Sequence, residues 1–200
     1  MTVAAQETTG TKGEQTRRRL LEIAVRRFAA DGFRRTSVSD IAREAGLSPA
    51  SAYAYFDSKE ALFQAAVDLD AGALIDRART AIADTPVAGR EAVVLTELAG
   101  HVGEHPLAAR VLSGQEPDVI DRVLDLPSLR EFNAQIAADI AAAQLTGEVR
   151  ADVDAVVMAN GLEAIVLTLL MGFLQARVDG ESRWAVGALS VLGAALRPSS

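Results

Sequence analysis

Residues 32–63 read GFRRTSVSDIAREAGLSPASAYAYFDSKEALF, and this stretch decides how we expect the chain to fold. Ser37 precedes apolar residues at positions 38, 41, 42 and 45, which is the spacing of one helical face. Asp40 completes a Ser-x-x-acid capping pattern with Ser37, and Gly46 stands where a left-handed cap ends a helix. The stretch therefore begins with one short helix that stops at a glycine.

A second short helix follows after a brief turn. Ser48 is a good N-cap residue, and Pro49 suits the first helical position, where its missing N–H costs nothing. This helix ends near Phe56, and Asp57 or Ser58 caps a third helix. Two short helices around a glycine-containing turn are typical of a helix-turn-helix, whose second helix enters the DNA major groove. The alternative is an ordinary helical hairpin of an all-α protein.

The composition of the second helix favours DNA binding. It is rich in Ala and Ser, whose small side chains approach base edges closely, while Tyr hydroxyls and a nearby lysine suit phosphate oxygens. We expect the DNA contacts at Thr36, Ser37, Ser48, Pro49, Ala50, Ser51, Tyr53, Tyr55 and Lys59.

The same stretch resembles the TetR family of transcriptional repressors. The shared elements are a Gly-hydrophobic-Ser turn at 46–48, a small-residue helix ending Tyr-x-Tyr-Phe at 53–56, and Ser-Lys-Glu-x-Leu-Phe at 58–63. The resemblance covers about the first third of the chain. Pro49, Ala50 and Ala52 depart from the family pattern, so the resemblance does not predict the operator sequence, although it still predicts the fold. The resemblance implies an all-α protein, with an N-terminal three-helix helix-turn-helix domain and a C-terminal helical ligand-binding and dimerisation domain.

Charge and composition agree with such a division. Residues 1–64 carry ten Lys and Arg against eight Asp and Glu, net +2, whereas the remainder carries ten against nineteen, net −9. The basic part coincides with the helix-turn-helix, and it is the local field that attracts DNA. The absence of cysteine excludes disulfides and thiolate metal sites and fits a reducing cytoplasm. Half of the 200 residues are hydrophobic, enough for a substantial core.

The expected domains are a polar arm without a secretion signal at 1–13, a helix-turn-helix domain at 14–60, and an effector-binding and dimerisation domain at 61–200. A first helix over 14–30, stopped by Asp31-Gly32, braces the helix-turn-helix. A long helix over 58–83 links the two domains, and further helices follow over 87–102, 128–144 and 181–196, the second capped by Ser128 and ended by Gly147. Proline and glycine make the helices of 103–126 short.

An apolar helix starting at Asp152 or Asp154 needs a protein environment. Only thirteen uncharged positions separate Glu163 from Arg177, fewer than the roughly 20 apolar residues of a membrane span. This helix and the last one therefore predict a homodimer interface. Two-fold symmetry would set two recognition helices about 34–36 Å apart, or a multiple of that, for successive major grooves.

The leading hypothesis is a cytoplasmic repressor that is released from double-stranded operator DNA when a small, mostly apolar effector enters the body and tilts the linking helix. Polar side chains in apolar surroundings and aromatic or Met neighbours are the candidate contacts. The candidates are His101, His105, Phe132, Asn133, Met158, Asn160, Glu163, Met171, Phe173 and Trp184.

Two other classes stay open at this point. On a continuous helix, two histidines spaced like His101 and His105 can share a metal. Gly103 and Pro106 interrupt a helix there, however, and the sequence has no third histidine. A metal-dependent enzyme is thus the weaker alternative, and no cofactor is predicted. The other alternative is a dimeric DNA-binding protein without an effector.

Overall fold

The computed structural model describes residues 11–117, 125–176 and 183–198, in which the regular elements are α-helices and one 3-10 turn. The all-α fold class predicted from the sequence is confirmed. The chain divides into two compact units, an N-terminal unit of Met1–Ala66 and a C-terminal unit of Val67–Ser200. The described helices are α1 (Lys12–Arg35), α2 (Val38–Glu44), α3 (Pro49–Tyr53), α4 (Lys59–Ala81), α5 (Arg90–His101), α6 (Pro106–Leu112), α7 (Pro127–Thr146), α8 (Ala155–Ala176) and α9 (Arg183–Leu196).

Helix α1 is longer than expected at both ends. It begins at Lys12 behind a capping box in which Thr11 and Glu14 exchange side-chain-to-backbone hydrogen bonds. The expected stop at Gly32 is a kink, because this glycine has φ 82° and ψ 167° while the helix continues to Arg35. The predicted polar arm therefore ends earlier than residue 13, and residues 1–10 lie outside the described ranges.

The helix-turn-helix is closed by the local caps that its sequence predicts. Ser37 Oγ accepts from the Asp40 amide at 3.1 Å, and Ser48 Oγ accepts from the Ser51 amide at 3.1 Å. Gly46 has φ 74°, the left-handed value expected after α2. Ser58 Oγ caps α4 by accepting from the Ala61 amide at 3.0 Å.

Aromatic packing fixes the core of the N-terminal unit. The rings of Phe28 and Phe63 meet edge to face with centroids 5.0 Å apart, and Phe33 lies 5.2 Å from Phe63. Arg26 and Arg27 of α1 both bind the carboxylate of Glu44 at the end of α2, at 2.9 and 2.7 Å. The α1–α2 packing that positions the turn thus has an apolar side and a charged side.

In the C-terminal unit, two apolar clusters lie along the helices. The larger joins α4, α5, α7 and α8 around Leu74, Leu95, Phe132 and Leu170. The smaller joins α7, α8 and the end of α9 around Ile140, Ala159 and Leu196. Helix α5 begins at Arg90 instead of position 87, because the preceding Gly89 has φ 120° and no helix passes through it.

Two carboxylates of α4 cap other helices. Asp68 Oδ1 accepts from the Ser128 amide at 3.0 Å and from its hydroxyl at 2.7 Å, at the start of α7. Asp70 Oδ2 accepts from the amides of Leu107 and Ala108 at 2.8 and 3.0 Å, at the start of α6.

The predicted cap of α7 by Ser128 is therefore wrong. The N-cap residue is Leu126, with Pro127 at the first helical position, and the side-chain acceptor comes from a residue distant in sequence. At the other end of α7, Gly147 takes the left-handed conformation that its position in the sequence predicts.

Helix α8 corrects the argument about a membrane span. Residues Ala155–Gln175 form one apolar helix long enough to cross a membrane by length and composition alone, so length does not exclude a span. Glu163 falls inside this helix and hydrogen-bonds Asn133 of α7. Asp154 caps the helix by accepting from the amides of residues 156 and 157. Packing of α8 against α7 and α5 gives its inner side a protein environment.

Candidate DNA-binding face and ligand cavity

The second helix of the turn presents a small, exposed surface. Pro49 and Ala50 are exposed, and Tyr53 is 49% exposed, although it is a large aromatic residue. Ala52, by contrast, is buried, and its small size lets α3 pack closely on the unit. The exposed side of α3 is therefore free of bulky aliphatic residues, and a DNA groove could approach its backbone closely.

The remaining predicted hydroxyl contacts differ in their exposure. Thr36 is buried, and its hydroxyl donates to the Gly32 carbonyl at 2.8 Å. Ser37 caps α2 and also donates to Asp40 Oδ2 at 2.7 Å. Ser48 is exposed, and its oxygen lies 2.8 Å from that of Ser51. The structure thus groups Ser48 and Ser51 with the exposed residues of α3, while Thr36 belongs to the interior.

Two cations of this unit lie over aromatic rings. Lys59 Nζ is 4.5 Å from the Phe33 ring centroid and 3.4 Å from the Arg34 carbonyl, and the Arg17 guanidinium is 4.9 Å from the Phe56 centroid. Such contacts hold a cationic side chain in a defined position while its charge stays available. Tyr55, next to Phe56, is partly exposed.

Several arginines around the turn are already paired with acids. Hydrogen bonds from Arg27 and Arg26 hold the pKa of Glu44 below its ordinary value, so this carboxylate stays ionised. Arg43 pairs with Asp40 at 2.9 Å. The charges of these three arginines are therefore offset within the unit, and the net charge of +2 over residues 1–64 already includes these acids.

A cavity of about 140 Å³ lies within the C-terminal unit. Its wall is formed by α4, α5, α6, α7, α8 and the end of α9, and it is mostly apolar. Helix α4 contributes Val67, Ala71, Leu74 and Ile75. The volume is close to the ~150 Å³ of an engineered apolar cavity that takes up benzene. The cavity therefore has room for an apolar group of about the size of one ring.

Five polar side chains stand in this wall. Arg90 of α5 forms an ion pair with Asp139 of α7, and its Nε donates to the Thr85 carbonyl at 2.8 Å. Glu91 is buried, and its Oε2 accepts from the Gly89 amide at 3.0 Å, at the N-terminus of α5. These three charged groups are thus engaged within the protein.

The other two polar groups form a pair between α7 and α8. The Asn133 amide donates to Glu163 Oε2. Burial raises the pKa of Glu163 above its ordinary value, and the Asn133 hydrogen bond only partly opposes this. Within the described residues, no arginine or lysine forms an ion pair with Glu163. Its carboxylate therefore keeps unmet capacity for a hydrogen-bond donor.

Comparison with known proteins connects the N-terminal unit to a family. The model of bacterial regulatory proteins of the tetR family matches residues 20–66, which contain the helix-turn-helix described above. The N-terminal unit therefore contains a TetR-family DNA-binding domain at residues 20–66.

Similarity to known proteins reaches beyond this domain, but it is weaker there. The HTH-type transcriptional repressor KstR2 of Rhodococcus jostii is 47% identical over 58 residues, which are 29% of this chain and 28% of that protein. The HTH-type transcriptional regulator UidR of Escherichia coli K12 is 25% identical over 94% of this chain and 97% of its own. The crystal structure of a TetR-family protein from Rhodococcus sp. superposes with a TM-score of 0.65 at 24% identity, covering 92% and 99% of the two chains.

The first two curated relatives align with this chain over only about a quarter of their own length. These relatives are named as transcription regulators and not as enzymes, which agrees with the prediction of a regulator.

The cavity contains only some of the residues that the sequence predicted for effector binding. Phe132, Asn133 and Glu163 line it. The other predicted residues that the structure describes do not line it, and the side chain of Trp184 lies outside the described part of the chain. Those away from the cavity are His101, His105, Met158, Asn160, Met171 and Phe173.

Their local contacts explain these positions. His101 Nδ1 lies 3.0 Å from the Glu97 carbonyl, and His105 Nδ1 lies 3.4 Å from Asp70 Oδ1. Met158 is buried in the smaller apolar cluster, while Asn160 is exposed.

The helix is also interrupted between the two histidines. Helix α5 ends at His101, and a 3-10 turn intervenes before His105, so they do not share one helical face. Among the described residues, no group of three or more His, Asp or Glu is arranged to hold a metal.

Sequence reasoning missed Arg90, Glu91 and Asp139. A signal for Asp139 was present, because this acid falls on the apolar stripe of α7 that includes Phe132 and Ile136. Charged residues on an apolar stripe need a partner, but periodicity does not identify it.

Proposed function

We propose that this protein is a dimeric, cytoplasmic, DNA-binding repressor that leaves its operator when a small, mostly apolar effector occupies the cavity of the C-terminal unit. The observation that supports this most directly is that one helix, α4, both lines the cavity and begins in the DNA-binding unit. Helix α4 lines the cavity through Val67, Ala71, Leu74 and Ile75, and the same helix begins at Lys59 in the unit that carries the helix-turn-helix.

The proposed DNA contacts divide into two kinds. Ser48, Pro49, Ala50, Ser51 and Tyr53 lie on or beside the exposed side of α3 and would meet base edges and the nearest phosphates. The buried Thr36 and the capping Ser37 would act through the shape of the turn, because their hydroxyls are already engaged.

Beyond α3, Tyr55 and Lys59 would contact the phosphate backbone. The Lys59 ammonium is held over Phe33 and would contribute one charge to a phosphate contact without base preference.

Dimerisation is supported by unpartnered apolar side chains on the last two helices. Val156 and Val157 of α8 are 55% and 62% exposed, and Val186 and Val191 of α9 are 52% and 66% exposed. Burying such side chains gains about 25 cal/mol per Å² of apolar surface. A second copy with the same face would bury both sets, as two-fold symmetry requires.

The effector would act by preferring one state of α4. A ligand that contacts Ala71 and Leu74 only when α4 takes a DNA-incompetent position shifts the population toward that position. A shift from almost entirely bound to almost entirely released requires about 10⁴-fold preference for that state. Asp68 and Asp70 add a physical route, because they join α4 to the first turns of α7 and α6.

The DNA-binding half of the proposal is tested first. Selection of duplex DNA by the purified protein defines half-sites and their spacing, and fluorescence anisotropy then measures affinity at several salt concentrations. We expect Lys59→Ala to weaken binding to all sequences and to reduce the salt slope by about one. Arg77→Ala, an exposed position further along α4, is the matched control and leaves both unchanged. Unchanged affinity and slope for Lys59→Ala contradict the phosphate contact.

The effector half uses a cavity-filling variant. Ala71→Leu puts a larger side chain into the cavity, whereas Ala73→Leu on the same helix is exposed and leaves it open. We expect wild type and Ala73→Leu to release DNA with a ring-sized apolar compound that binds the cavity, and Ala71→Leu to stay bound. If compounds that bind in the cavity never change DNA affinity, the protein is a regulator without this switch.

A further inference from the structure

The charges in the cavity wall constrain its ligand more than its apolar surface does. Among its described residues, the wall contains three carboxylates, those of Glu91, Asp139 and Glu163, against one guanidinium, that of Arg90. That guanidinium is engaged by Asp139 and by a backbone carbonyl. Arg79 lies over the ring of Phe132, at 5.8 Å, and is not itself part of the wall. An anionic ligand would therefore meet no uncommitted cation among the described lining residues.

The three carboxylates are not equivalent. Asp139 has its arginine and also accepts from the Gln135 amide at 2.8 Å. Glu91 is satisfied by the amide at the N-terminus of its own helix, where the helix dipole favours a negative charge. In the described part of the chain, the hydrogen-bond partner of Glu163 is the neutral amide of Asn133, which engages one of its two oxygens.

We propose that the cavity binds ligands that join a ring-sized apolar body to an ammonium group, with Glu163 as the acceptor, and that it rejects carboxylates of the same shape. This rests on the proposed function of the cavity as the effector site. A partly buried carboxylate without an ion partner gains from any donor that enters with the ligand, and it gains most from a cation. Burial raises the pKa of Glu163 because it disfavours the ionised form, which agrees with a carboxylate whose charge is poorly compensated.

The size of the cavity sets the rest of the ligand. About 140 Å³ holds a benzene-sized group with little to spare, and the apolar side chains around it are aliphatic apart from Phe132. An aryl-alkyl amine places its ring among these side chains and its ammonium at the Asn133–Glu163 pair. A neutral alcohol of the same skeleton keeps one hydrogen bond but loses the charge.

The test is direct binding without DNA. Isothermal titration calorimetry measures the binding of 4-phenylbutylamine, 4-phenylbutan-1-ol and 4-phenylbutyrate, each with a single ring, to the purified protein at pH 8. We expect the amine to bind at least about tenfold more tightly than the carboxylate, the ratio expected for one charge-assisted hydrogen bond. The alcohol should fall between them. Loss of binding in Ala71→Leu places the bound compound in the cavity.

The variant Glu163→Gln isolates the charge. Its side-chain oxygen still accepts from Asn133, so the wall keeps its shape, and amine affinity should fall about tenfold while alcohol affinity stays within about threefold. Glu131→Gln, at an exposed position of α7, is the matched control and changes neither. If Glu163→Gln does not fold, the wild-type ratio of amine to carboxylate still decides.

Three results overturn this inference. The first is that the carboxylate binds as tightly as the amine, the second that Glu163→Gln leaves the amine preference intact, and the third that none of the three compounds binds. In the second case Glu163 serves only to hold Asn133. None of these results bears on whether cavity occupancy releases DNA, so the inference and the proposed function fail independently.

Discussion

Asp70→Ala tests how strongly α4 is joined to α6. The Asp70 side chain is only 10% exposed, and its Oδ2 accepts from the amides of Leu107 and Ala108. No side chain of the N-cap residue, His105, replaces it. Removing the carboxylate leaves two amide donors of the first turn without an acceptor in the described structure.

The magnitude follows from these two bonds. A hydrogen bond to a charged group contributes about 1.5 kcal/mol at the low end, so the pair contributes about 3 kcal/mol to the free energy of unfolding. For a chain of this size, that corresponds to a fall in the melting temperature of roughly 6–12 °C. Asp70→Asn keeps one neutral acceptor and should cost about half as much.

The assay is urea and thermal unfolding followed by far-ultraviolet circular dichroism, at one fixed protein concentration because dimerisation adds to stability. Asp76→Ala is the matched control on the same helix. Its side chain is 76% exposed and lies 3.8 Å from Arg79, so it should change the free energy by less than about 0.5 kcal/mol. If the free energy of unfolding of Asp70→Ala lies within about 0.5 kcal/mol of the wild-type value, as expected for an exposed pair, Asp70 does not cap α6.

Three further predictions concern other parts of the chain. Burial raises the pKa of Glu163 in the folded protein, so its ionised form costs stability above that pKa; Glu163→Gln should stabilise at pH 7–8, and the gain should vanish below the unfolded value of 4.5. Urea midpoints across this range check it, and a gain that persists at pH 4 contradicts it. Val157→Glu should give a monomer in sedimentation at micromolar concentration, whereas Leu145→Glu, at a residue 91% exposed on α7, should not. Ser48→Ala should cost about 1 kcal/mol by removing the cap of α3, measured by urea unfolding, and should weaken DNA binding.

The N-terminal unit was largely predictable because its signals are local. Ser37, Gly46 and Ser48 each act on backbone groups within three or four residues, so their spacing carries the geometry of the turn. The kink at Gly32 shows the limit of this reasoning. A glycine interrupts a helix, but whether the helix stops or resumes depends on what the following turn packs against, here Phe33 on Phe63.

By itself, the sequence determined the helical class, the caps of the helix-turn-helix and the TetR-family likeness of this domain, because each depends on neighbouring residues. Only the tertiary structure decided which distant groups meet. It joined Arg90 to Asp139, Asp70 to the start of α6, and Glu163 to Asn133, and it left His101 and His105 outside the cavity. Periodicity indicates which side of a helix is buried, but a buried charge takes its partner from another helix, and that choice is made by packing.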